Sequence, residues 1–206
     1  MKNTNKTQKG FGRKVLETIL GLATPVLAVL SPGCVEGYTL TPELGVNMPT
    51  KQSGYEYPET TSYGVRFGVK SNKTIGKTGR GIEGRVGIKV YQTAVSDAFL
   101  TETIDATQIE GQVLVPVCGN KRVVVYAGGH LTSQSERDRL DLMGTEDTQN
   151  RTLTGYGLDV VVRVPVARNC DIEASLGTNS FSKSSGEGTA SRDTETNLGV
   201  GVAFAW

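Results

Sequence analysis

Residues 198–206 read Leu198-Gly199-Val200-Gly201-Val202-Ala203-Phe204-Ala205-Trp206. Five large apolar side chains share one parity, and only Gly or Ala occupies the other. Period two is the period of a β-strand. Glycine and alanine opposite a continuous apolar stripe suit a strand whose second face borders a tight interior.

The same alternation recurs backward along the chain. Tyr156, Leu158, Val160, Val162, Val164 and Val166 alternate with Gly155, Gly157, Asp159, Val161, Arg163 and Pro165. Ile109, Val113, Val115 and Val117 alternate with Glu110, Gln112, Leu114 and Pro116. Ile82, Val86, Ile88 and Val90 alternate with Glu83, Arg85, Gly87, Lys89 and Tyr91. Tyr63, Val65, Phe67 and Val69 alternate with Gly64, Arg66, Gly68 and Lys70. Residues 121–132 and 171–181 follow less cleanly, and a first segment near 37–48 sets Tyr38, Leu40, Leu44, Val46 and Met48 against Glu43. This gives eight segments of about ten residues, the length of a membrane-crossing strand.

Eight such segments fit two barrels that are inside-out versions of each other. A soluble lipocalin-like barrel holds its apolar parity inside. A transmembrane barrel turns it to lipid. The polar parity decides for the second. Its charges are mixed: Glu43, Glu83, Glu110, Asp159 and Glu173 against Arg66, Lys70, Arg85, Lys89 and Arg163. These can pair in a closed lumen, where isolated charges would be too costly. Val65, Val86, Val115, Val162 and Val200 are then expected to face lipid, and Arg66, Arg85, Glu110 and Arg163 the lumen. Connections are short at 118–121 and 167–170 and long near 93–106, 133–151 and 182–194. Outer-membrane barrels have short periplasmic turns and long outer loops.

On these residues, and above all on the closing strand with its aromatic terminus, the chain from about 36 to 206 resembles small bacterial outer-membrane β-barrels of the OmpA transmembrane-domain, OmpX and Ail type. The resemblance implies an all-β, eight-stranded antiparallel up-and-down barrel in the cell envelope, contact with outer-membrane lipid, and recognition of Leu198, Val200, Val202, Phe204 and Trp206 by the barrel-assembly machinery. One departure is the 71–80 connection, about ten residues where a short periplasmic turn belongs.

The rest of the composition fits. The chain has 206 residues, formal net charge +1 and 26 Gly. That balance gives no argument for nucleic acid. No run of 18 apolar residues lacks a charge, which excludes ordinary membrane-spanning helices. Lys2, Lys6, Lys9, Arg13 and Lys14 precede the mostly apolar stretch 15–30, and Ser31-Pro32-Gly33-Cys34 follows. Basic, apolar, small is the order of a signal peptide. Residues 1–33 are therefore expected to be a leader and 34–206 the barrel, with 17 basic and 20 acidic residues left in the mature chain. Glu17 inside the apolar stretch fits the alternative of a retained amphipathic helix. Cys34 stands where a lipoprotein carries its lipidated cysteine, although Ser31 and Pro32 depart from that motif.

Other motifs carry less. Residues 71–78 approach a P-loop and 79–84 spell GxGxxG, but both lead into strand alternation, and phosphate binding of these kinds needs a helix N-terminus. His130 is the single histidine, so no multi-histidine metal site exists and no cofactor is implied. With Thr132 two residues on, it is similar to the His and hydroxyl pair of the lipid A deacylases. That leaves a lipid-modifying enzyme at the barrel rim as a rival to a structural or adhesive scaffold. Cys118 and Cys170 flank two tight turns at one end, as a disulfide, as free thiols or as a link to another molecule. The segment 133–151, rich in Gln, Glu, Asp and Arg, is either a solvated loop or a contact surface for a host molecule, phage or neighbouring barrel. Eight strands enclose an interior just filled by side chains, not an open pore.

Overall fold

The computed structural model describes residues 35–49, 59–75, 78–96, 100–142, 145–182 and 194–206. Their regular elements are all strands: β1 (Val35–Pro49), β2 (Thr60–Thr74), β3 (Gly81–Ser96), β4 (Leu100–Gly119), β5 (Val124–Leu142), β6 (Thr145–Ala167), β7 (Cys170–Ser182) and β8 (Thr194–Ala205). Sequence neighbours pair antiparallel, and β8 closes on β1. The expected leader and Cys34 lie outside the described residues.

The register fixes the shape. From Asn47 on β1 the ladder passes through Asn197, Gly177, Asp159, Gly128, Leu114, Glu83 and Lys70, and returns to β1 at Gly37, ten residues away. With a rise of ~3.3 Å per residue and ~4.8 Å between strands, that stagger tilts the strands by about 40° around a radius of about 8 Å.

The parities separate, with the buried Ile109 the exception in the apolar set. Of the apolar set, Val65 and Val200 are exposed and Val86, Val115 and Val162 half-buried on the outer face, whereas Arg66, Arg85, Glu110 and Arg163 are buried inside. This corrects the soluble-barrel alternative, which needs an apolar interior. Among the described residues, 11 hydrophobic and 25 polar or charged ones are buried, while 22 large hydrophobic side chains are exposed. An interior more polar than the exterior reverses the usual arrangement of a soluble protein.

Three boundaries differ from the sequence expectation. The β3–β4 ladder reaches Ser96–Thr101, and the β5–β6 ladder reaches Leu142–Thr145. The long excursions at 93–106 and 133–151 are therefore largely paired strand. β2 and β3 also run on past a bulge to Thr74 and Gly81, so only 75–80 connects them. There Ile75 N donates to Arg80 O at 3.0 Å and Thr78 Oγ1 to Ile75 O at 2.8 Å. Gly79 takes φ 66°, a left-handed conformation that glycine adopts without strain. The P-loop-like stretch thus begins in β2, and the last two glycines of the GxGxxG pattern, Gly81 and Gly84, belong to β3.

Candidate functional site: the charged lumen

The inward face of each strand brings a few polar side chains to the barrel axis. Two arginines and two glutamates form a closed ring there. Arg163 Nη1 and Nη2 donate to Glu83 at 2.7 and 3.1 Å, and Arg163 Nε donates to Glu173 Oε2 at 2.8 Å. Arg85 Nη1 and Nη2 reach Glu173 at 2.8 and 2.6 Å, and Arg85 Nε reaches Glu83 Oε1 at 3.0 Å. Glu83 and Arg85 come from β3, Arg163 from β6 and Glu173 from β7, so the ring spans the lumen. Bidentate guanidinium–carboxylate pairs are the strongest geometry such groups have. The Arg163 guanidinium also lies over the Tyr126 ring, 5.2 Å from its centroid, a cation–π contact.

A second cluster adjoins it. Arg66 pairs with both Glu43 and Glu110, and lies 3.7 Å from Glu173. Lys89 Nζ sits 3.1 Å from Glu43 and 3.4 Å from Glu110. Gln112, Asp159, His130 and Asn179 complete the set, joined to the ring through Gln112 Oε1, which accepts from Arg85 Nη1 at 3.5 Å. Gln112 Nε2 donates to Asp159 Oδ2 at 2.8 Å, and the same oxygen lies 2.5 Å from His130 Nδ1. His130 Nε2 contacts Asn179 Oδ1. The backbone makes room for this: a Cβ at Gly157 would meet Thr178 O at 1.7 Å and the His130 ring at 2.6 Å. Only glycine fits opposite the imidazole.

Nine of the ten charged residues read from the inward parity therefore meet in one connected set. Lys70 does not. It lines a half-open cavity of about 320 Å3 at the turn end, with Arg80, Tyr126 and Trp206. Beside the five acids of the set, the additional basic group is His130. This corrects its expected place at the rim: it is buried among Glu43, Arg66, Lys89, Glu110 and Asp159. The Thr132 hydroxyl donates to Ile109 O at 3.3 Å. The inward parity carries His130 halfway down the wall, which its spacing from the turn would have indicated. Gln112, Asn179 and Thr39, whose Oγ1 donates to Glu83 at 2.8 Å, were also missed as partners. Their signal was the parity itself.

The network is closed off at the turn end. Leu114, Val124, Tyr126 and Val161 form a buried apolar cluster. The void among the central charges measures about 10 Å3, room for one water at most. Cys118 and Cys170 are free thiols, exposed and half-buried respectively, on β4 and β7. On the outer face of β8, Leu198, Val200, Phe204 and Trp206 are exposed and Val202 is half-buried. Trp206 packs beside Phe67, which stacks on Tyr38, with centroids 6.5 and 5.9 Å apart.

Neither a family model nor a curated protein sequence matches the chain. Solved structures do. Neisserial surface protein A superposes with TM-score 0.62 at 17% identity, over 84% of this chain and 99% of that one. The attachment invasion locus protein Ail of Yersinia pestis, solved with the heparin analogue sucrose octasulfate, gives 0.58 at 10% identity, over 83% and 99%. A major outer membrane protein of Thermus thermophilus gives 0.58 at 14% identity, over 82% and 99%. The fold is the eight-stranded antiparallel barrel of small outer-membrane proteins.

Proposed function

We propose that this chain is a bacterial outer-membrane barrel. Its leader, residues 1–33, is removed on export, both ends of the barrel chain face the periplasm, and the apolar parity contacts outer-membrane lipid. The observation that carries this is the reversal of polarity. Carboxylates and guanidiniums fill the inside, while tyrosine, leucine, valine and tryptophan line the outside. Water would favour the opposite arrangement. Unsatisfied strand edges, which lipid forbids, are removed in the membrane-spanning region by closure of β1 on β8.

The protein acts as a structural or adhesive scaffold rather than a pore. Among the described residues the ion-paired core leaves a void of about 10 Å3 at its centre, and the outer ends of β4, β5 and β6, the longest described strands, offer a surface for contact with a host molecule, phage or neighbouring barrel. The solved complex of Ail with a heparin analogue supports surface-ligand binding as a role for such a barrel. The stripe Leu198, Val200, Val202, Phe204 and Trp206 serves assembly. Cell fractionation with heat-modifiable gel mobility tests the reading: the protein should appear in the outer-membrane fraction, shift on boiling, and begin at Cys34 on N-terminal sequencing. Recovery as a soluble periplasmic protein without a boiling shift would refute it.

A further inference from the structure

Charge is divided unequally between the two ends of the barrel. At the turn end, Arg80 stands on the 75–80 connection, Lys121 and Arg122 on the 119–123 turn, and Arg168 on the 167–169 turn, with Lys73 on the adjoining arm of β2. None of the five is ion-paired with another described residue. Among the described residues at that end, Glu36 is the one exposed acid. At the opposite end exposed or half-buried acids dominate, among them Glu59, Asp105, Asp141 and Asp147.

The cations at the turn end are held in place. Asn120 Oδ1 accepts from the backbone of Arg122 and Val123 at 2.7 and 3.1 Å, and Asn120 N donates to Val123 O at 2.8 Å. That cap fixes the turn with Lys121 and Arg122 at its exposed tip. Arg80 N donates to Thr78 Oγ1 at 3.3 Å. Asn169 O, next to Arg168, accepts from Ala205 N at 2.9 Å.

Their depth follows from the belt. The exposed Val166 precedes Arg168 by two residues, about 7 Å of strand, and the exposed Val117 sits just before the 119–123 turn. Tyr38, Phe67 and Trp206 mark the same level on the other wall. Aromatic side chains of this kind sit at the headgroup level of a bilayer. The cations therefore stand where lipid phosphates lie, around the circumference, on three separate turns.

We propose that this collar binds the phosphates of anionic phospholipids in the leaflet at the turn end and selects them over zwitterionic lipid. The proposal rests on the membrane reading above. Each Lys or Arg near an anionic surface shifts partition on the order of fivefold. Charge-assisted bonds to phosphate oxygens supply the ionic partners that these cations lack among the described residues. Continuity with the apolar belt favours a membrane lipid over a soluble polyanion, because a lipid in the bilayer contacts both at once.

The test uses the full barrel in nanodiscs of phosphatidylcholine containing a minority of phosphatidylglycerol, with retained lipid counted by native mass spectrometry after release. The expected result is phosphatidylglycerol enriched on the order of fivefold over its share of the nanodisc. Enrichment should fall toward that share in the Lys121→Gln/Arg122→Gln/Arg168→Gln variant and, for the unaltered protein, in high salt. Arg137→Gln/Arg139→Gln at the opposite end should leave it unchanged. Retention of the two lipids in proportion to their supply overturns the collar while leaving the membrane reading intact, as does equal loss in both variants. Failure of the chain to insert at all overturns both.

Discussion

Replacing Glu173 by Gln removes one negative charge from the centre of the lumen. Oε1 of Glu173 accepts from Arg85 at 2.8 Å and faces Arg66 at 3.7 Å, while Oε2 accepts from Arg85 at 2.6 Å and from Arg163 at 2.8 Å. A glutamine keeps one of these oxygens and turns an NH2 donor toward a guanidinium. The side chain is buried, so water cannot repair the loss. Breaking a buried pair by removing one partner costs about 3–5 kcal/mol. With a urea slope of roughly 2 kcal/mol per M, the unfolding midpoint of the detergent- or lipid-folded barrel should drop by about 2 M. Boiling-sensitive gel mobility and the fluorescence of the single tryptophan, Trp206, read it directly. Gln108→Leu provides the opposite sign. Gln108 is buried, and neither its Nε2 nor its Oε1 has a hydrogen-bond partner among the described residues, so relieving an unsatisfied amide should stabilise by about 1–3 kcal/mol. Equal midpoints for Glu173→Gln and the unaltered protein, or a loss from Gln108→Leu as large as that from Glu173→Gln, would refute the pairing energetics.

Three further outcomes are expected. Val162→Arg puts a charge on the outer face of β6, opposite Val125 and Ala174; it should cost roughly 2–4 kcal/mol near the midplane, and normal insertion of that variant into liposomes would count against a lipid-facing side. A few polar residues added after Trp206 should block outer-membrane assembly in cells yet permit folding in detergent, and normal assembly in cells would leave the stripe no role beyond covering lipid-facing area. Outside the belt, burial raises the Asp105 carboxyl while hydrogen bonds from Arg139 and Gln92 lower it further, so its folded pKa lies below the ordinary value. A carboxylate so depressed stabilises above its unfolded pKa and loses that contribution as pH falls through the folded one. Amide protection of the outer β4–β5 ladder should thus be flat above about pH 5 and decline below about pH 4; protection persisting to about pH 2 would exclude this role.

How much was readable depended on which physical term each feature obeys. Parity was legible throughout the belt, because lipid on one side and ion pairs on the other demand opposite chemistry at every step. Residues such as Gly157 and Arg163 told the inside from the outside. Beyond the belt the outer face meets water and carries polar side chains such as Ser133 and Ser135, while the inward Gln134 and Glu136 stay buried; 133–142 therefore lost its apolar–polar alternation while keeping its ladder, and read as a loop. Partner choice was hidden because alternation carries no register. Nothing local says that Arg163 meets Glu83, 80 residues away, or that Lys70 falls beside the mouth while His130 falls among the carboxylates. Those follow from a stagger of ten residues, which only strand pairing sets.

The ring of Glu83, Arg85, Arg163 and Glu173 also bears on rates. Two of its links, Arg163 to Glu83 and Arg85 to Glu173, join residues 80 and 88 apart in the chain, across strands that are not neighbours. No single hairpin can form them, and a half-closed sheet leaves their charges open to water, where they gain little. They come into being only as the circle is completed. Interactions absent from the transition state slow unfolding without speeding folding. The ring therefore acts as a clasp on the finished barrel: once shut, the protein is held by the rate at which the clasp opens, and a lifetime in the membrane can greatly outlast what its equilibrium stability alone would suggest.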